Sequence, residues 1–254
     1  MRRALQKQVR ELKSRVRRHA SRHDENFNVG IEIEICLLDG KARPINAAPL
    51  IEVLCAKHQI DFEYGQAQLE YKTDPVSMRN IESLNLQIED FVGDLDRALK
   101  KIDSDAIPVF LGANPSPHIL QGSVTDKPRY KSLARWQKSM PDIEIDGYKF
   151  PALQVATAIQ GFHMHLQGRD PDFTAQMFNY ILSLIPSVIL LGANSRLFAG
   201  RLLSLHEPRI FMYDQSEQQN SGFPAIPRYL SGGGRTISTT SFRGSRSLQR
   251  TILS

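Results

Sequence analysis

Val29-Gly30-Ile31-Glu32-Ile33-Glu34-Ile35-Cys36-Leu37 alternates apolar residues with others at every step. A period of two belongs to a β-strand, and it puts Val29, Ile31, Ile33, Ile35 and Leu37 on one face. Gly30, Glu32, Glu34 and Cys36 share the other. One face is therefore core, and two carboxylates stand side by side on the opposite face. Asp39-Gly40 ends the strand in a turn.

Outward from this strand the pattern changes repeatedly. Asn46 caps a short helix running to about His58, with Leu50, Val53 and Leu54 inward. A strand pair is predicted at 60–64 and 68–73, stopped by Asp74-Pro75. Residues 79–102 form a long helix whose stripe is Ile81, Leu84, Ile88, Phe91, Leu95, Leu99 and Ile102. A short strand at 107–111 closes in the turn Gly112-Ala113-Asn114-Pro115. Residues 118–150 read as a long irregular functional loop with short helical pieces. Residues 153–167 read as a strand that changes phase at Gly161, as a β-bulge would. Pro171-Asp172 opens a helix to about Gly192, kinked or broken at Pro186. Strands and helices mix without a βαβ rhythm, so the expected class is α+β, a mostly antiparallel sheet with helices on one face.

A chain of 254 residues with 41% hydrophobic and 23% charged residues can bury an ample core as an ordinary globular protein. Its net charge of +5 comes from the two ends. Residues 1–23 hold nine Lys/Arg and one Glu, and 228–254 hold five Arg and no acid. The centre, 24–227, carries 18 basic and 26 acidic residues. An acidic centre is a poor nucleic-acid binder but suits a carboxylate cluster holding a divalent metal. The chain thus divides into a basic amphipathic helix at 1–23, a catalytic domain at 24–227 that is expected to be incomplete, and a Ser/Gly/Arg-rich tail at 228–254 that is expected to be disordered or non-native. In the first segment Leu5, Val9, Leu12 and Val16 make an apolar stripe suited to packing on the domain, to an anionic surface or to targeting. Cys36 and Cys55 are expected to be buried, reduced thiols. The apolar run 181–193, broken by Ser183, Pro186 and Ser187, reads as too short to span a bilayer. The N-terminus has no apolar signal core, so the expected location is cytoplasmic.

Four pieces carry chemistry. Glu32 and Glu34 on one strand face repel each other unless a cation or solvent compensates. They are either the wet side of an amphipathic strand or ligands for Mg²⁺ or Mn²⁺. Gln68, Glu70 and Lys72 share a face on the next strand and gain meaning if it lies beside the first. In Phe162-His163-Met164-His165 two imidazoles on one face reach a shared metal or phosphate, or form a hydrogen-bonded surface pair. After an apolar helix comes Gly192-Ala193-Asn194-Ser195-Arg196-Leu197-Phe198-Ala199-Gly200-Arg201. There Arg201, with Arg209 beyond it, is either a clamp for phosphate or carboxylate or a surface ion pair. The chain has no P-loop, no GxGxxG and no CxxC, so any nucleotide must rest on metal and carboxylate.

GIEIE at 30–34, QLEYKTDPV at 68–76, LGANPSP at 111–117, Arg129-Tyr130, FHMH at 162–165 and LLGANSRLFAGR at 190–201 follow one another in an order that resembles the glutamate–cysteine ligase type 2 family of carboxylate–amine ligases. The resemblance covers about residues 27–217. It implies a glutamine-synthetase-like fold, a curved antiparallel sheet whose concave face holds ATP and Mg²⁺ or Mn²⁺. It implies metal-ligand roles for Glu32, Glu34 and Glu70, and metal or nucleotide contact for His163 and His165. It implies substrate contact for Arg129, Tyr130 and Asn114, and phosphate or carboxylate handling for Arg201 and Arg209. The reaction implied joins an amino-acid carboxylate, that of glutamate, to the amine of cysteine through an acyl phosphate. Its partners are small molecules, with homo-oligomer formation open. The segment 202–208 lacks the Asp/Thr-Gly run of the family. Two alternatives are an inactive relative that binds nucleotide or metal only, and an anchoring protein working through its basic helix.

Overall fold

The computed structural model describes residues 27–216, and in the N-terminal segment positions 6–8, 10, 11, 14 and 15, which are helical. The rest of the expected basic helix and the tail beyond 228 lie outside the described residues.

The fold is α+β. Its spine is β1 (Asn28–Leu38), an 11-residue strand against which almost every other strand of a six-stranded sheet is laid. On one edge β1 pairs antiparallel with β3 (Gln68–Lys72) and, at its start, with β4 (Val76–Ser77). On the other edge it pairs antiparallel with β5 (Ile107–Val109) and β8 (Phe162–Leu166). β2 (Gln59–Phe62) extends the sheet beyond β3. Burial along β1 alternates as the sequence predicts, Val29, Ile31, Ile33 and Ile35 buried and Gly30, Glu32 and Glu34 half-buried.

Two helices cover the apolar face. α1 (Ala48–Leu54) contributes Leu50, Ile51 and Leu54, and α2 (Glu82–Ile102) contributes Leu84, Phe91, Leu95 and Leu99. The Tyr71 ring of β3 stacks on Phe91 with centroids 3.9 Å apart. Each fully buried Leu or Phe here stabilises the layer by about 2–3 kcal/mol. The predicted stripe of α2 holds in its middle, while Ile81 and Ile102 at its ends are exposed.

A second apolar cluster forms where an irregular loop was expected. It is built from the hairpin β6 (Ile143–Ile145) and β7 (Tyr148–Phe150), α4 (Ala152–Ala156), β9 (Leu197–Phe198) and α6 (Pro208–Ser216), with the exposed β10 (Arg201–Leu202) paired to β9, while Tyr130 and Ala134 of α3 (Pro128–Gln137) join Tyr64 and Leu153 in a smaller cluster. The β6–β7 turn is Asp146-Gly147, with φ of 53° and 77°. Positive φ at both central residues is the demand of a type I′ turn, which an Asp-Gly pair meets. Residues 152–156 are helical rather than extended, so the strand expected from 153 begins only at 162.

α5 (Pro171–Leu191) starts at Asp170, whose carboxylate accepts the Phe173 N–H at 2.8 Å, and runs unbroken through Pro186. None of its described side chains is buried. Asp172–Leu191 has a mean hydropathy of 1.5 over a stretch that length and composition alone would allow to cross a membrane, contrary to the short broken run expected. Of the cysteines, Cys36 is buried but Cys55 is exposed, at the end of α1 rather than inside it.

Candidate active site

The β1–β3 register sets Glu34 directly opposite Glu70 and Glu32 opposite Lys72. On the other edge Glu32 lies opposite His163 and Gly30 opposite His165. Residues opposite on one face have neighbouring side chains. Three strands thus bring the GIEIE, QLEYK and FHMH pieces together, on the sheet face turned away from α1 and α2.

Glu32 bridges both imidazoles, with Oε2 at 3.4 Å from His163 Nδ1 and 3.2 Å from His165 Nε2. Burial pulls its pKa upward, but the bonds and charges of His165 and His163 outweigh that and hold it below the ordinary value. Glu34 takes the Gly161 N–H on Oε2 at 2.6 Å, and its Oε1 lies 3.9 Å from His163 Nε2. Burial raises its pKa, the Gly161 bond and His163 offsetting part of this and the Glu70 charge adding to it. Glu70 has Lys72 Nζ at 3.0 Å.

A fourth carboxylate belongs to this group. Glu63, just past β2, lies with Glu34 and Glu70 so that one ligand atom from each falls within 4.8 Å of the others, and Glu32, Glu70 and His163 form a second such group. Burial, then the charges of Glu34 and Glu70, push the Glu63 carboxyl up to about 7. Its place is fixed by Thr125 Oγ1, which donates to the Glu63 carbonyl at 2.7 Å. The sequence carried a signal for it. In Ile60-Asp61-Phe62-Glu63-Tyr64 the acids alternate as Glu32 and Glu34 do, and the same rule would have selected them.

Crowded carboxylates with one imidazole at their rim are oxygen-rich donors of the kind hard divalent cations take, and the imidazole suits Mn²⁺ better than Mg²⁺. Two groups sharing Glu70 offer places for two ions. The donor set therefore fits the expected metal. A cleft of about 770 Å³ against α3, flanked by Lys131, Arg135 and Lys138, contains none of these residues.

Five other expected site residues sit differently. Asn114 is fully buried, its amide donating to Cys36 Sγ and its Oδ1 accepting the Ser116 N–H at 2.9 Å, so its side chain braces a turn. Tyr130 is buried on α3, and its hydroxyl donates to the Phe62 carbonyl at 2.8 Å, next to Glu63. It fastens β2 rather than lining a loop. Arg129 is exposed, 5.2 Å from the Tyr130 ring centre, and its charge draws Glu63 downward against burial. Arg201 lies on the separate β9–β10 hairpin, its guanidinium 4.8 Å from the Tyr148 ring centre. Arg209, expected as a clamp for phosphate or carboxylate or as a surface ion pair, is half-buried and ion-paired. Nε reaches Glu207 Oε1 at 2.6 Å, Nη2 reaches Glu207 Oε2 at 2.9 Å, and Nη1 donates to the Gln160 carbonyl at 2.5 Å.

Comparison with known proteins adds an independent line. The model of Glutamate-cysteine ligase family 2 matches residues 28–228. A protein of Saccharopolyspora erythraea named "Putative glutamate--cysteine ligase 2-1" is 28% identical over 69% of this chain and 42% of its own length. A similarly named protein of a Bradyrhizobium species, ligase 2, is 26% identical over 79% of this chain and 46% of its own. The chain thus spans less than half the length of the curated relatives it matches. A bifunctional glutathione synthetase of Pasteurella multocida superposes with a TM-score of 0.39 and 17% identity, covering 61% of this chain and 19% of that one, a likeness too slight to bear on the fold.

Proposed function

The chain belongs to Glutamate-cysteine ligase family 2, and from that membership we propose that it serves an ATP-dependent ligation of an amino-acid carboxylate, that of glutamate, to the amine of cysteine. The observation that carries the reading is the convergence of Glu32, Glu34, Glu63, Glu70 and His163 on one sheet face. A carboxylate is a poor acylating agent at neutral pH. Transfer of the ATP γ-phosphoryl to its oxygen gives an acyl phosphate, from which the amine displaces phosphate. Divalent ions held by Glu32, Glu70 and His163 and by Glu34, Glu63 and Glu70 would neutralise charge on the triphosphate and the transferring phosphoryl.

The chain's own residues prepare the site in three ways. Partial burial of the inner carboxylates Glu34 and Glu63 limits their contact with water, which strengthens the charge interactions there. His165, bonded to Glu32, stands at the exposed rim where the nucleotide would enter. Arg129, exposed beside Tyr130 and close enough for its charge to act on Glu63, would offer a guanidinium to a substrate carboxylate. The reaction belongs in the cytoplasm, where ATP and free amino acids meet, and its partners are small molecules.

ADP release by the purified protein with Mg²⁺-ATP and glutamate, with and without cysteine, tests this. Cysteine-stimulated release, absent from Glu34→Ala, is expected. Mg²⁺-ATP binding without any release would establish the inactive relative instead. Unchanged nucleotide affinity in a folded Glu34→Ala would refute the metal assignment.

A further inference from the structure

Between β5 and β8 the ladder along β1 is interrupted, and Gln160-Gly161 fills the break. The Glu34 N–H donates to the Gly161 carbonyl at 3.0 Å. With its amide oriented to satisfy both ends, the buried Gln160 side chain accepts the Cys36 N–H at 2.8 Å and donates to the Leu111 carbonyl at 2.6 Å. The Gln160 N–H goes to the Gly112 carbonyl at 2.9 Å. This segment is thus held from several sides without any help from α6.

Arg209 nonetheless reaches it from α6. Its Nη1 bonds the Gln160 carbonyl at 2.5 Å, and the Gly161 N–H bonds Glu34 Oε2 at 2.6 Å. That carbonyl and that N–H are the two ends of one peptide group. A hydrogen-bonded cation at the oxygen polarises the amide and strengthens the bond its N–H gives. Behind Arg209 stands Glu207, which is buried and also takes the Ser195 hydroxyl at 3.1 Å. Packing allows this only because residue 112 is glycine. A Cβ there would lie 2.3 Å from Ser195 Oγ and 2.5 Å from the Arg209 guanidinium carbon.

We propose that Arg209, oriented by Glu207, is a positioning residue for Glu34, acting through the Gln160–Gly161 peptide. The relay occupies Oε2 of Glu34 and leaves Oε1, on the His163 side, free for a ligand. Its effect on metal affinity rests on the metal reading above. The polarised peptide does not.

The test measures Mn²⁺ binding by wild type, Arg209→Lys, Glu34→Gln and the double variant, with a thermal melt of each. Lys keeps the charge but loses the fork that grips Glu207 and the carbonyl together. Arg209→Lys should weaken Mn²⁺ about tenfold, as loss of a group that orients a ligand does. The double variant should bind no more weakly than Glu34→Gln alone, because the relay ends at Glu34. Wild-type affinity in Arg209→Lys, or losses that add in the double variant, would overturn the proposal. The Gly161 amide proton gives a second readout by NMR without metal. It should lie well downfield in wild type and move upfield in Arg209→Lys, and in Glu207→Gln if the Lys variant does not fold. An unmoved resonance overturns the relay. If Glu34→Gln binds Mn²⁺ normally while that resonance moves, the metal reading fails and the relay stands.

Discussion

Replacing Glu63 with Gln should stabilise the metal-free protein at alkaline pH. The Glu63 carboxyl is raised from 4.5 to about 7, first by burial and then by the charges of Glu34 and Glu70. Between those two values the folded state holds a proton that the unfolded chain has released, so stability falls as pH rises through the window. The full shift corresponds to about 3 kcal/mol, reduced to about 2 kcal/mol because solvent still reaches part of the group. Glutamine keeps the shape and carries no charge. For a domain of this size the gain at about pH 8 is about 4–8 °C in melting temperature, and below pH 5 the gap should shrink to about 2 °C or less. The assay is a thermal melt of both proteins in chelator at the two pH values. Equal gaps at both, or a less stable variant at pH 8, would refute the account of Glu63 as a buried, charge-crowded acid. Saturating Mn²⁺ should narrow the alkaline gap, since the ion supplies wild type with the missing positive charge.

Three further outcomes follow from the same structure. A thiol reagent should titrate one cysteine, Cys55, in the native protein and both in denaturant, because burial raises the Cys36 pKa to about 12. Tyr130→Phe should cost about 1 kcal/mol by chemical denaturation, the net worth of its bond to the Phe62 carbonyl. Gly161→Ala should weaken Mn²⁺ binding with little loss of stability. The new Cβ would sit 2.6 Å from His163 Nε2, and the half-exposed ring can swing out of the way.

The central strand was legible because its alternation is uninterrupted, and Glu32 and Glu34 fell on the correct face for that reason alone. Glu70 and the histidines were legible as pieces, but their meeting depends on the pairing of β1 with β3 and β8, which periodicity does not specify. The substrate roles of Asn114 and Tyr130 came from family resemblance, and periodicity could not show that both are buried. Both spend their polar atoms on buried partners, Cys36 and Ser116 for one and the Phe62 carbonyl for the other. Arg209 was seen as a cation, but its commitment to Glu207 and Gln160 is a tertiary fact. The helix at 152–156 was missed because five residues are too few to show a period of 3.6.

β1 comes early in the chain, and its two edges are completed at very different times. β3 lies close behind it in sequence, while His163 bonds Glu32 across 131 residues. Closing so long a loop is entropically costly, and pairings of this kind form slowly. During refolding, the carboxylates of β1 and β3 should meet before β8 brings its imidazole. Tight uptake of Mn²⁺ would then lag behind the appearance of helix and sheet signals, so the ion would act as a clock for the docking of the last strand.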